Sequence, residues 1–206
     1  MANDKLCITI ERSDQVGLSS TEYYEMIQSA KNQSGIENNT SILYGKILDL
    51  LKKKHEKQCN REGYVLENST KLLSCSYGHF PDESLVGDIN YYVSYKQIIC
   101  RPIVDATIDV EIKNKNMIGM IADYKLERGD SPFLILIPQS LITDNPTQKI
   151  YNDCNSGDMI KVKIISSRFR TGQEQITVIA KLSPDSSIDN EENEDDESSV
   201  YNKTDD

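Results

Sequence analysis

Apolar positions change period partway along the chain, near Gly63. At the start, Leu6, Ile8 and Ile10 alternate with Cys7 and Thr9, which predicts a short strand. Ser19 and Glu22 have capping-box spacing. Behind them Tyr23, Met26, Ile27 and Ala30 fall on one helical stripe, interrupted by Gly35 and Asn38-Asn39. A second helix is expected from Thr40 or Ser41, with Leu43, Ile47, Leu50 and Leu51 on one face. It ends in Lys52-Lys53-Lys54-His55 and Lys57. Such cations either meet phosphate or simply sit well against the negative end of the helix dipole, and the second reading is the simpler one.

From Gly63 the period becomes strand-like. Gly63–Glu67 and Lys71–Ser76 read as strands around a hairpin-like break at Asn68-Ser69. Tyr77-Gly78-His79-Phe80-Pro81-Asp82 follows as a loop rich in turn formers. Ile89–Cys100 is the longest strand candidate, and Pro102 marks a joint. Beyond it Val104, Ala106, Ile108, Val110 and Ile112 alternate strictly with Asp105, Thr107, Asp109, Glu111 and Lys113. Asn114-Lys115-Asn116 is expected to turn the chain into Met117–Asp123, and Arg128-Gly129-Asp130 into Phe133–Ile137. Met159–Ser166 alternates again, with Ile160, Val162 and Ile164 inward, and Thr171-Gly172 turns it into Gln175–Leu182. Five short antiparallel strands over this stretch suit a small closed barrel of the OB type. The expected class is therefore α+β: an N-terminal α+β domain over 1–100, an all-β OB-fold barrel over 101–183, and an acidic disordered tail over 184–206.

Composition supports a packed core: 37% of the 206 residues are hydrophobic and 27% charged. No apolar run approaches the ~20 residues of a bilayer span, so no membrane partner is expected. Met1–Lys5 lacks the basic-then-apolar layout of a signal peptide. Five scattered cysteines without a CxxC pair suggest neither a disulfide scaffold nor a zinc site, and fit a reducing compartment. The net charge of −10 is unevenly spread. Ten of the 33 acidic residues and one Lys lie after Leu182, which leaves 23 acids against 22 bases in the remainder. A neutral body argues against strong non-specific binding of nucleic acid. The tail either solubilises the chain or docks on a basic surface, and Ser186, Ser187 and Thr204, each close to acidic residues, are candidate phosphorylation sites.

Candidate chemistry is sparse. His55 and His79 are the two histidines, and neither lies in a nucleophile context such as GxSxG. There is no P-loop, and no GxGxxG follows a strand. His55 and Cys59 have half of a metal spacing without a partner pair. Asp105, Asp109 and Glu111 share one face of a strand, where carboxylates could hold a divalent cation, but the solvated side of an alternating strand predicts all three. Five N-x-S/T sequons (Asn32, Asn38, Asn39, Asn68, Asn202) carry no weight without a secretion signal. No catalytic residue, metal or cofactor is therefore assigned. RNA contact is the more plausible chemistry: Lys161, Lys163, Arg168, Phe169 and Arg170 form a basic, aromatic-bearing strand and hairpin, with Lys113 and Lys115 at another loop. The barrel has no Trp and few aromatics on which bases could stack.

The order of parts resembles a known family. Gly63-Tyr64-Val65, the Gly78–Asp82 loop, Asp88–Tyr95 (DINYYVSY), and Arg101-Pro102 leading into an alternating strand resemble the RNA polymerase stalk subunit. This is the seventh subunit of eukaryotic RNA polymerase II, together with its archaeal counterpart. The likeness runs over residues 5–182 in order of elements and is concentrated between Gly63 and Ile112. It implies an accessory subunit without its own active site. Residues Tyr77, Gly78, His79, Phe80, Pro81 and Asp82 would match the tip that wedges against the base of the polymerase clamp. The barrel would project beside nascent RNA. Core polymerase subunits would be the partners, with a small helical stalk partner in many relatives. The chain departs from the family at Asp105, where a Gly is common, and at Gly119-Met120, where relatives carry a Gly-aromatic pair. The second departure weakens RNA stacking more than polymerase docking. Ile-, Asn- and Lys-rich usage points to an AT-rich genome and a large DNA virus, with work in host cytoplasm or virion. A cellular, nuclear polymerase is the alternative source. A different function, a free single-stranded RNA-binding OB module of translation or RNA processing, fits the same barrel.

Overall fold

The computed structural model describes residues 6–31, 36–80, 87–126 and 129–184. They form an open four-stranded sheet with two helices, followed by a closed five-stranded barrel with a third helix. The class is α+β with a barrel. The expected acidic tail from Asp185 onward lies outside the described residues, as do Gly35, Pro81, Asp82 and Arg128.

The open sheet is organised by β4, Ile89–Cys100. Its whole length pairs antiparallel with β1, Cys7–Leu18. β1 is much longer than the Leu6–Ile10 alternation predicts. Polar Glu11–Gln15 hide its continuation, but β4 supplies a register partner for every residue through Leu18. On its other edge β4 pairs with β2, Tyr64–Val65, and with β3, Lys71–Cys75. The expected hairpin between these two segments is therefore corrected: they lie along the same edge of β4 and do not pair with each other. The turn between them is held by Glu56, whose carboxylate accepts backbone N–H bonds from Asn68, Ser69 and Thr70 at 2.9–3.1 Å. A charged acceptor satisfying three amides is a strong local constraint.

Helix α1, Ser20–Lys31, starts at the capping box read from the sequence. The Ser19 amide donates to Glu22 Oε2 at 3.1 Å, and the Glu22 amide donates to Ser19 Oγ at 3.3 Å. Helix α2, Ile36–His55, begins earlier than Thr40. Ile47 and Leu51 are fully buried against Val16, Leu18, Tyr91, Val93 and Tyr95, which joins α2 to the sheet. At its C-terminus Asp14 of β1 accepts from Lys54 at 2.6 Å and lies 3.1 Å from His55 Nε2. Lys54 and His55 here clamp helix to strand, beyond any interaction with the helix dipole.

The barrel runs in the order β5-β6-β7-β9-β8. Its strands are β5 Thr107–Asn116, β6 Gly119–Tyr124, β7 Phe133–Pro138, β8 Met159–Arg168 and β9 Ile176–Leu182. All pairings are antiparallel except β7 with β9. This order is consistent with an OB fold. The interior is filled by alternate aliphatic residues, such as Ile108, Val110 and Ile112 of β5 and Ile160, Val162 and Ile164 of β8. The same core cluster continues through Leu6, Cys59, Tyr64, Leu66 and Cys100, so the barrel packs directly on the end of the open sheet.

Three expectations for this half are corrected. It is not all β: helix α3, Asn145–Asp153, and a single helical turn, Gln139–Leu141, separate β7 from β8. α3 buries Thr147 and Tyr151 alone, too few apolar residues for a helical stripe to stand out. Asn114–Asn116 is strand rather than turn. The reversal falls at Met117-Ile118, where Asn116 Oδ1 accepts from the Ile118 and Gly119 amides at 2.9 and 3.1 Å. Val104 and Asp105 are a turn ahead of β5, with Asp105 at φ 67°.

A fourth correction concerns the cysteines. The scattered spacing suggests no disulfide, yet Cys7 and Cys100, opposite each other in the β1–β4 register, are joined by one. Their separation of 93 residues hides the pairing from any spacing rule. Cys59, Cys75 and Cys154 are free thiols.

Gly119 opens β6 at φ 154°, and a Cβ there would lie 2.3 Å from the Ile137 carbonyl oxygen of β7. Gly119→Ala should therefore cost more than about 2 kcal/mol, because backbone on a paired strand cannot yield as a side-chain tip can. Chemical denaturation of the variant measures it. Asp14 gives a pH test. Burial alone would raise its carboxyl, but Lys54, the Gln15 amide and His55 outweigh that and hold it below the usual range. A depressed carboxylate contributes stability above its unfolded pKa and loses it as pH falls through the folded value. Asp14→Asn should thus cost about 1 kcal/mol at neutral pH, and the gap from the parent chain should close below about pH 4.

Candidate functional site

The loop after β3 lies beside the N-terminal half of β4. The Ser76 amide donates to the Tyr92 carbonyl at 2.8 Å, and Ser76 Oγ accepts from the Tyr92 amide at 2.9 Å. His79 and Asn90 then exchange backbone hydrogen bonds at 3.0 and 2.9 Å. The His79 ring stacks on Tyr92, with centroids 4.8 Å apart and planes 7° from parallel. Gly78 passes so close to β4 that a Cβ would meet Ile89 Cγ2 at 2.6 Å and the Tyr91 ring at 3.0 Å. Two aromatic side chains are thereby thrown outward: Tyr77 is 97% exposed and Phe80 67% exposed. With exposed Tyr92 and the bulged Leu73 they make this end of the sheet rich in aromatic surface. Surface of this composition is typical of protein interfaces. Of the six residues expected at the tip, Tyr77, Gly78, His79 and Phe80 are described, and Pro81 and Asp82 are not.

Tyr92 is not among the residues that the sequence singles out. Strand alternation carries the signal: Tyr91, Val93 and Tyr95 face the helices, so Tyr92 must face away.

The seven RNA candidates are scattered over the barrel. Lys115 Nζ donates to the carbonyls of Asn152 and Cys154 at 3.0 and 2.9 Å and lies 5.0 Å over the Tyr151 ring. It caps the C-terminus of α3. Lys113 occupies a bulge in β5 and pairs with buried Asp123. Lys163 pairs with Asp105 at 2.9 Å, and Lys161 stands opposite Asp109 in the β5–β8 register. Phe169 packs against the barrel core. Arg168 and Arg170 are exposed at the β8–β9 hairpin. That hairpin is itself anchored, because the Cys59 amide donates to the Gln173 carbonyl at 2.7 Å and the Gly172 amide to the Cys59 carbonyl at 2.8 Å. A loop of the kind that meets ligand in OB barrels here braces the barrel against the first half of the chain.

The other sequence candidates separate. Asp105 sits in its turn beside Lys163, and Glu111 pairs with Lys125. Among the described residues no group of three or more His, Cys, Asp or Glu is arranged to hold a metal ion. His55 lies between Asp14 and the Tyr95 hydroxyl, 3.3 Å away, whereas Cys59 is buried in the other core. Burial pushes the Cys59 thiol up to about 11, which keeps it protonated at neutral pH. Among the described residues no helix is long and apolar enough to cross a membrane.

Fold and surface thus define a barrel-bearing scaffold with an exposed aromatic loop at one end of its open sheet. No family model matches the chain. The chain is similar to a protein of Acanthamoeba polyphaga mimivirus described as "Putative DNA-directed RNA polymerase subunit". The two are 25% identical over 172 residues, which span 75% of this chain and 83% of that protein. The description does not say which of the polymerase subunits is meant.

Because Tyr77 and Phe80 touch little, replacing both with Ala should change stability by less than about 0.5 kcal/mol. Gly78→Ala should be destabilising, since Ile89 and Tyr91 are held in the sheet. Thermal melts of the two variants test the contrast, and equal losses would contradict the packing described here.

Proposed function

We propose that the chain is a non-catalytic subunit of a DNA-directed RNA polymerase of a large DNA virus, built as a stalk. The observation that carries this reading is the similarity to the mimivirus protein over three quarters of the chain. The tip geometry supports the finer part. Tyr77 and Phe80 stand clear of a loop that is hydrogen-bonded to β4 and stacked on Tyr92. The stretch from Ser76 to Phe80 docks with little loss of backbone freedom, because its hydrogen bonds and the stacked His79 ring hold it before contact. Residues 77–82 are thus the polymerase-docking tip, residues 1–100 the docking domain and 101–183 the barrel domain. The barrel is held outward for nascent RNA or transcription factors, and the complex works in host cytoplasm or virion.

The free RNA-binding reading has less support. Lys113, Lys115 and Lys163 have internal partners, and Phe169 is committed to the core. A barrel that commits these side chains internally and, among its described residues, exposes no aromatic stacking platform suits weak contact with a transcript positioned by the rest of a polymerase.

The test is co-purification of an affinity-tagged chain with the large polymerase subunits from infected or producing cells. The parent chain should bring them down in near-equal amounts. Tyr77→Ala with Phe80→Ala should reduce recovery at least about tenfold if the pair contributes 1.4 kcal/mol or more. Full recovery with the double variant would remove the docking assignment, and no polymerase with the parent chain would remove the function.

A further inference from the structure

The outward face of β8 and β9 gathers cations from both strands. Lys163 of β8 and Lys181 of β9 are directly opposite in register and share the outward face. Lys161 lies two residues along on the same face of β8. Like charges directly opposite across strands destabilise a sheet. Asp105 neutralises part of the charge: it pairs with Lys163 at 2.9 Å, and both Lys163 and Lys181 draw its carboxyl below the usual range. Asp109 faces Lys161. Arg168 and Arg170 extend the basic surface toward the hairpin. Five cations thus meet Asp105, Asp109 and the hairpin's Glu174, a local excess in a body that is otherwise close to neutral.

The chain leaves the barrel beside this stripe. The Ser183 amide donates to the Lys161 carbonyl at 3.0 Å. Beyond it come Asp185 and Asp189, then Glu191, Glu192, Glu194, Asp195, Asp196 and Glu197. The stretch from Ser183 to Glu191 can extend to at most about 28 Å. The stripe from Lys161 to Arg170 is about 30 Å long at strand rise. The acidic block therefore starts within reach of Lys161, Lys163 and Lys181, which lie at the end of the face where the chain departs. Attachment at Ser183 also gives it an effective concentration in the millimolar range, so weak pairing suffices.

We propose that the acidic segment 185–197 folds back onto the outward face of β8 and β9, lying along Lys161, Lys163 and Lys181, and screens that face from other polyanions. The occupant is this chain itself, chosen by charge complementarity and by its point of departure. The inference does not depend on the polymerase assignment. It adds a condition to RNA contact by this face: a transcript must displace the segment. Phosphorylation of Ser186 or Ser187 would deepen the charge and tighten the fold-back.

Zero-length carbodiimide coupling, which joins a carboxylate to a lysine amine in direct contact, tests this on the full chain at low protein concentration. Peptide mapping should find segment 185–197 coupled within one molecule to Lys161, Lys163 or Lys181. Lys52, Lys53, Lys96 and Lys149 serve as controls and should couple far less. The preference should vanish near 1 M salt, where the Debye length is about 3 Å. Neutralising the block in the full chain (Glu191, Glu192, Glu194 and Glu197 to Gln, Asp195 and Asp196 to Asn) should shift the backbone amide NMR signals of β8 and β9. That variant leaves the barrel residues untouched, so folding is not at stake. Coupling spread evenly over all lysines, coupling only between molecules, or unmoved β8–β9 signals would each overturn the proposal.

Discussion

Everything in the first half of the chain depends on β4. Its twelve residues pair with β1 along their whole length, and its other edge pairs with β3 over Val93–Lys96 and with β2 at Ile99 and Cys100. The alternation INYYVSYKQIIC sends Tyr91, Val93 and Tyr95 under helix α2 and leaves Tyr92 on the opposite face. The start of β4 supports the tip, because Asn90 pairs with His79 and Tyr92 carries its ring. Its far end lies beside the barrel core through Cys100, which is tied to Cys7, and the next amide, Arg101, donates to Leu6. One strand thus connects the candidate contact surface to the barrel without an intervening flexible linker. The β8–β9 hairpin adds a second brace through Cys59.

Long, regular elements are the most legible in the sequence. Ile89–Cys100, the capping box at Ser19 and Glu22, the α2 stripe through Ile47 and Leu51, and the inward sets of β5 and β8 can all be read directly, because burial on one face imprints a period on the residues. What escapes a sequence reading is held by partners distant in the chain. β1 beyond Ile10 is polar and is a strand because β4 lies beside it. The Cys7–Cys100 bond joins residues that only the sheet register brings together. α3 is short and buries two side chains. Asn114–Asn116 has turn composition, yet the turn residues are Met117-Ile118, with the Asn116 side chain supplying the cap.

The candidate surface is legible in the same uneven way. A loop of turn formers carrying Tyr77 and Phe80 is visible as composition; that both side chains stand outward depends on Gly78 pressing against Ile89 and Tyr91. Basic residues on the barrel are equally visible, but a charge count cannot tell a ligand-facing lysine from one that caps a helix, as Lys115 does, or fills a bulge, as Lys113 does. Lys161, Lys163 and Lys181 share the outward face of β8 and β9, with Arg168 and Arg170 beyond them at the hairpin.

In the proposed assembly the tip end of β4, and not the barrel, meets the polymerase. Site-specific photo-crosslinking in assembled polymerase measures this most directly, with a photoreactive residue at Tyr77 in one preparation and at Met117, on the far exposed turn of the barrel, in another. The probe at position 77 should capture a large polymerase subunit in high yield, and the probe at position 117 should not. Capture from 117 with none from 77 would contradict this assembly.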